Sequence, residues 1–186
     1  MTHLRQVLKR RTQASHDLLD AAMSDADITS PQGFTHFLQS HQMGYDALLS
    51  RDVMEPMANL LQDLRDRCRA DLKALGTPPI QRQAATPDYL DPLAIDYVIG
   101  GSSFGAEVLR RRWKDTQDAS VRAASAYFSA PSRMTVWRSF LDDAASIPAE
   151  SPRANQIILD ANKVFGVFLA AAKTARQGDE LTDARS

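Results

Sequence analysis

Two stretches hold residues whose types and spacing could support chemistry. The first, RRTQASHDLLDAAM (residues 10–23), carries His16 among ordinary helix formers. The second, DYVIGGSSFGAEVLRRRW (residues 96–113), reads as helix at both ends yet contains Gly100, Gly101 and Gly105. On a helical wheel Lys9, Thr12, His16 and Asp20 form one stripe flanking the apolar face, with Leu19 and Met23 at its border. His16 is therefore expected at the rim of the core. A lone histidine there is ordinarily a boundary or surface residue. The sharper alternative is a metal ligand, a common role of neutral imidazole. Zinc takes about three or four protein ligands, and His3, His36 and His41 offer His16 no partner spacing. Heme needs only an axial ligand from the protein, because the porphyrin nitrogens supply the rest. Two readings stay open: His16 is incidental, or it binds heme iron.

The glycines pose the complementary question. Each costs a helix about 1 kcal/mol relative to alanine, roughly 3 kcal/mol for the set, which local structure does not repay. Gly101 and Gly105 are four apart and share a face. A face without side chains lets a flat molecule lie on the backbone and lets the helix bend. The competing explanation is close helix–helix packing through small residues. A phosphate loop is disfavoured, since Gly-Gly-Ser-Ser-Phe-Gly follows no strand and precedes no Lys-Ser/Thr pair. The two stretches together would make a sandwich, with one ligand on one side of a planar ring and thin backbone on the other.

These residues need helices to position them, and the pattern supplies helices almost throughout, with no convincing alternating strand. Leu4, Val7, Leu8, Leu18, Leu19 and Ala22 mark the buried side of the first. Ser30-Pro31 reads as cap and first residue of a second helix, which carries Phe34, Phe37, Leu38, Tyr45 and Leu48. A third is expected over 53–75, stopped by Gly76. The proline-rich segment 77–87 is expected to be a crossover loop. Asp91-Pro92 starts the glycine-bearing helix, which runs to about Trp113; further helical runs are expected at 115–128, 132–146 and 151–176. The polar tail from Gln177 is expected to fray. The expected architecture is all-α, one domain over 1–176 with a tail at 177–186.

Composition narrows the function. The chain has 186 residues, 44% of them apolar, enough for one sizeable core. A net charge of -1 provides no bulk field for nucleic acid or an acidic membrane surface. No apolar run approaches the ~20 residues of a membrane span, and no signal peptide is recognisable. The single cysteine, Cys68, cannot form an internal disulfide. A cytoplasmic protein is the expectation. Glutamate occurs only at 55, 107, 150 and 180, with no Glu-x-x-His pair, which disfavours a di-iron bundle.

The ordered set of motifs resembles the heme oxygenase family, particularly its biliverdin-producing bacterial members. LKRRTQASHDLLD is similar to the family's proximal helix, with a threonine four residues before the ligating histidine, and YVIGGSSFGAEVL to its distal helix. ASAYFSAPSRMTVWRSFL and ANKVFGVFLAAA resemble later helices, so the resemblance spans about residues 4 to 175. It implies a multi-helix bundle with heme between the first helix and the glycine-containing distal helix. By position, His16 matches the iron ligand, Lys9 and Arg138 match propionate partners, and Phe165 matches a pocket aromatic. Thr12 joins them in the cofactor-binding set. Asp20 stands where glutamate is common, and Gly101 and Gly105 match the distal glycines. Gly101, Ser102, Gly105 and Asp20 form the implied catalytic set. The sequence departs from the family at Gly100, where relatives carry glutamate, and at Ala106, where glycine is common. Ser102 replaces the distal aspartate of animal members.

The implied reaction uses heme as substrate and cofactor, with molecular oxygen, and yields biliverdin, carbon monoxide and ferrous iron. A ferredoxin or an NADPH-dependent reductase would donate electrons, and a biliverdin-accepting protein could receive the pigment. Neither nucleic acid nor membrane is an expected partner. A non-catalytic heme carrier or sensor is the alternative, kept in view by Gly100 and Ala106. A third possibility is a helical protein of this fold binding another small molecule, such as a thiamin-related compound.

Overall fold

The computed structural model describes residues 3–24, 26–78, 80, 87 and 89–183, with side chains as far as 177. The described residues form seven helices: α1 Leu4–Ser24, α2 Pro31–Leu49, α3 Met57–Ala74, α4 Pro92–Lys114, α5 Ala119–Ala123, α6 Met134–Ala145 and α7 Pro152–Asp183. No strand occurs among them, in line with the expected all-α class.

Helix starts follow their local signals. Ser30 accepts a bond from Gly33 N at 3.1 Å ahead of Pro31, and Asp91 accepts one from Leu93 N at 3.0 Å ahead of Pro92. Helix α3 begins at Met57 rather than near Val53, because Pro56 disfavours helical backbone in the residue before it. The run expected over 115–128 is mostly not helical. Asp118 caps Ser120 N and Val121 N and starts α5, but the carboxylate of Asp71 then accepts Ala126 N and Tyr127 N, both at 2.8 Å. Those two bonds draw the chain out of the helix and into a turn. Helix α7 extends past Gln177 to Asp183. Much of the crossover expected at 77–87 lies outside the described residues.

Helix α7 is the spine of the molecule. It packs against α1, α2 and α4, while α3 covers α2 and α6 covers α4. Gly44 permits the α2–α7 approach, since a Cβ there would overlap the Phe168 ring. The core holds Leu8, Phe34, Phe37, Leu61, Phe140 and Ile157, all at most 2% exposed. The start of α4 is tied to α7 by the buried Asp160 carboxylate, which accepts Asp91 N at 2.9 Å and Lys163 Nζ at 2.7 Å. Burial alone would raise the pKa of Asp160. The bonds from Lys163, Gln156 and Asp91 outweigh burial and hold it below the usual carboxylate range. Helices α1 and α4 thus reach the same neighbours, α6 and α7, from two sides.

Candidate functional site

Helix α1 carries His16 at the edge of its buried face, as its spacing requires. The imidazole side chain is 50% exposed, and its inner edge meets the Phe165 ring of α7 at a centroid distance of 5.7 Å in T-shaped geometry. One turn on, Asp20 Oδ2 stands 3.2 Å from His16 Nδ1, and Asp17 Oδ1 lies 3.8 Å from the same nitrogen. A carboxylate at Nδ1 favours the proton there and leaves the Nε2 lone pair for a Lewis acid. Among the described residues no three histidine, cysteine, aspartate or glutamate side chains cluster as a metal site. The donor set around His16 is one imidazole with a carboxylate behind it, which suits a metal that brings its other ligands.

The other members of the stripe diverge in environment. Thr12 is buried, 1% exposed, and donates its hydroxyl proton to Leu8 O at 2.9 Å. Its oxygen also lies 3.3 Å from the Tyr97 hydroxyl of α4, which must be the donor because the threonine proton is used. Burial raises the Tyr97 pKa, partly offset by Thr12 and Arg5, so the phenol keeps its proton. Lys9 is exposed on α1 and Arg138 is exposed on α6. Phe165 is buried on α7.

The three glycines of α4 have different surroundings. Gly100 faces α6: an added Cβ would lie 3.2 Å from Trp137 N and 3.3 Å from Trp137 Cα. Its surroundings match the competing explanation, close helix–helix packing. Gly101 is half-buried beside the Trp137 ring, whose Cζ3 lies 3.4 Å from where a Cβ would stand. It is therefore not a bare surface. Gly105 is the open position, with nothing within 4 Å of an added Cβ. Ser102 and Ser103 donate back to Ile99 O at 2.8 Å and Gly100 O at 2.6 Å, the competing local bond that helical serines commonly make. The Ser102 hydroxyl would have to rotate off Ile99 O before donating to a ligand.

Three large apolar side chains beside these residues stand in solvent: Leu18 at 59%, Phe104 at 54% and Val108 at 57% exposed. Leu18 lies two residues from His16, and Phe104 and Val108 bracket Gly105. Phe104 and Val108 are four apart and share a face of α4, and exposed apolar side chains on one face are the usual mark of a binding surface for an apolar partner or ligand. Two half-open recesses lie elsewhere. One of about 320 Å³ is lined by Val7, Arg10, Arg11, Glu150 and Asn155, and one of about 220 Å³ lies near His3, Arg5 and Leu141.

Tyr97 and Trp137 are the residues that sequence reasoning missed at this site. Trp137 reads as ordinary packing, but it shields Gly101, touches Phe104 edge-on at 5.7 Å and lies under Arg5 at 5.8 Å. Tyr97 sits one turn before Gly101 and gave no signal beyond its helical phase.

No family model and no curated protein matches the sequence. A solved structure does match in fold: the NO- and CO-bound heme oxygenase from Neisseria meningitidis, with a TM-score of 0.68 at 19% identity. The alignment covers 94% of this chain and 92% of that one. The chain therefore has the all-α heme oxygenase fold.

Proposed function

We propose that this chain binds heme as its substrate and cleaves it with molecular oxygen to biliverdin, carbon monoxide and ferrous iron. The observation that carries the reading is the half-exposed His16 imidazole with the Asp20 carboxylate at Nδ1, on a chain whose fold is shared with a heme oxygenase. The residues fit the group. A single accessible imidazole suits an axial ligand, and Leu18, Phe104 and Val108 offer apolar surface for the macrocycle. Gly105 leaves its backbone uncovered on the α4 side.

Bound heme would supply the iron at which oxygen is activated and the ring that is opened. His16 would be the residue that holds the iron, and Asp20, 3.2 Å from its Nδ1, would accept a hydrogen bond there and orient the ring. A neutral imidazole would donate less electron density to a bound iron than a thiolate. Lys9 and Arg138, both exposed, would pair with the propionates by charge-assisted bonds and so orient the macrocycle. Gly105, the uncovered position of α4, would let its backbone approach the macrocycle, and Ser102, once its hydroxyl turns from Ile99 O, would order water there, while Gly101 lies behind the Trp137 ring. Thr12 and Tyr97 tie α1 to α4. Phe165 backs the imidazole. Electrons come from a ferredoxin or an NADPH-dependent reductase, and the product passes to a biliverdin-accepting protein. No helix among the described residues is long and apolar enough to cross a membrane; we place the reaction in the cytoplasm.

The test is to add hemin to the purified protein, record the visible spectrum, and then supply electrons and oxygen. The expected result is an intense heme band that gives way to biliverdin absorption, with turnover lost in His16→Ala. A band that persists under good electron supply identifies a carrier or sensor instead. Absence of a band removes heme altogether.

A further inference from the structure

We propose that Asn162 is a positioning residue for the His16 imidazole, an inference that rests on the reading of His16 as iron ligand. A serine inside a helix commonly returns its hydroxyl to the carbonyl four residues back. Ser15, the residue before His16, does not: its Oγ donates to Asn162 Oδ1 on α7 at 2.6 Å. The Asn162 amide in turn donates to Ile158 O at 2.9 Å and to Arg11 O at 3.4 Å. Arg11 O is the carbonyl that Ser15 would otherwise take. The carboxamide thus inserts between the two partners of that local bond and joins the 11–15 turn of α1 to the 158–162 turn of α7.

The location gives this clamp its function. His16 follows Ser15, and Phe165 lies three residues after Asn162, so the clamp and the ring contact occupy neighbouring turns of one seam. Asp20 belongs to α1 and moves with it. It can set the rotation of the imidazole but not the distance of α1 from the rest of the molecule. Asn162 sets that distance, at the turn where an exposed side chain has few other contacts. Catalysis that depends on a held geometry loses on the order of a hundredfold for a displacement of about 1 Å.

The first measurement needs no heme. The Phe165 ring shifts the His16 ring-proton resonances, and that shift reports the α1–α7 seam in the free protein. Asn162→Ala and Ser15→Ala should each move the His16 resonances toward those of a Phe165→Ala variant, and Ser15→Thr, which keeps a hydroxyl, should not. The double variant should be no worse than either single one, as expected when both remove one interaction. In the hemin complex, Asn162→Ala should bind about tenfold more weakly and change the iron–imidazole stretching frequency, the range seen when support of a metal ligand is lost. Asn155→Ala breaks the 2.7 Å bond from Arg11 in the same seam and serves as the control, with His16 unmoved. His16 resonances of wild-type position in both Asn162→Ala and Ser15→Ala would overturn the proposal, as would an equal shift in Asn155→Ala. If the wild-type protein takes up no hemin, the heme reading fails, while the resonances still decide the clamp.

Discussion

The hydroxyls of Thr12 on α1 and Tyr97 on α4 stand 3.3 Å apart, a direct polar link between the helix that carries His16 and the helix that carries the glycines. Thr12 spends its proton on Leu8 O, so the link depends on the Tyr97 proton. Tyr97→Phe removes the donor and keeps the ring that packs 5.4 Å from Phe140. It should cost about 1 kcal/mol of stability and weaken hemin binding, as measured by denaturant unfolding and hemin titration. An unchanged affinity would show that the two helices hold their spacing without it.

Glycine substitutions on α4 should divide by position. Gly105→Ala meets nothing and gains helix propensity, so it should stabilise the free protein by about 1 kcal/mol. Gly105→Leu should also fold, yet block hemin uptake. Gly100→Ala drives a methyl toward the Trp137 backbone, which has little room to yield, and should destabilise by roughly 1–3 kcal/mol. Thermal melts without hemin, compared with hemin titrations, separate the two effects.

Asp96 introduces a pH dependence within α4. Burial, then Asp143, then Asp91 push its carboxyl up from 3.8 to about 6. The folded state therefore binds a proton more tightly than the unfolded chain, and this group makes stability fall as pH rises from about 4 through 6. Asp96→Asn should melt higher at pH 7 and lose that slope. A variant with the melting temperature and pH profile of the wild type would show that the burial is relieved in solution.

His41 acts in the opposite direction over much of the same range. Its ring lies tilted against Phe37 at a centroid distance of 4.1 Å, and Nδ1 lies 2.9 Å from Phe37 O. Burial lowers its pKa from 6.5 to about 4, against the pull of the Phe37 carbonyl. The unfolded chain then binds the proton more tightly, so stability is full above about 6.5 and falls as pH drops toward 4. In the Asp96→Asn background this loss should emerge as a steeper acid-side decline than in the wild type, followed by unfolding at a series of pH values.

Asp71 should be a sensitive polar position in the core. Each of its carboxylate oxygens accepts one backbone N–H, from Ala126 and Tyr127. Asn in its place offers one acceptor and sets an NH2 against the other N–H. A loss of about 1–3 kcal/mol is expected for Asp71→Asn, measured by urea unfolding.

The helical order, the caps at Ser30 and Asp91 and the rim position of His16 were legible in the sequence, because each depends on residues within a turn or two of one another. The same locality explains Asp20, four residues from His16 and in contact with it. The resemblance to heme oxygenases likewise led to the correct fold. The short α5 was not legible, since what ends it is a carboxylate 55 positions earlier. The glycines were half legible: the backbone penalty announced that they matter, but only the passage of α6 across α4 assigns Gly100 to packing and leaves Gly105 open.

Local spacing on its own thus determined which faces are apolar and that His16 would sit where a ligand could reach it. The tertiary structure alone decided what stands opposite: Tyr97 against Thr12, Phe165 against His16, Trp137 over Gly101 and Asn162 between Ser15 and Arg11. Periodicity gives the direction in which a side chain leaves its own helix. Which atom of a distant segment it meets depends on how helices pack, and packing is a property of all the side chains at the seam together.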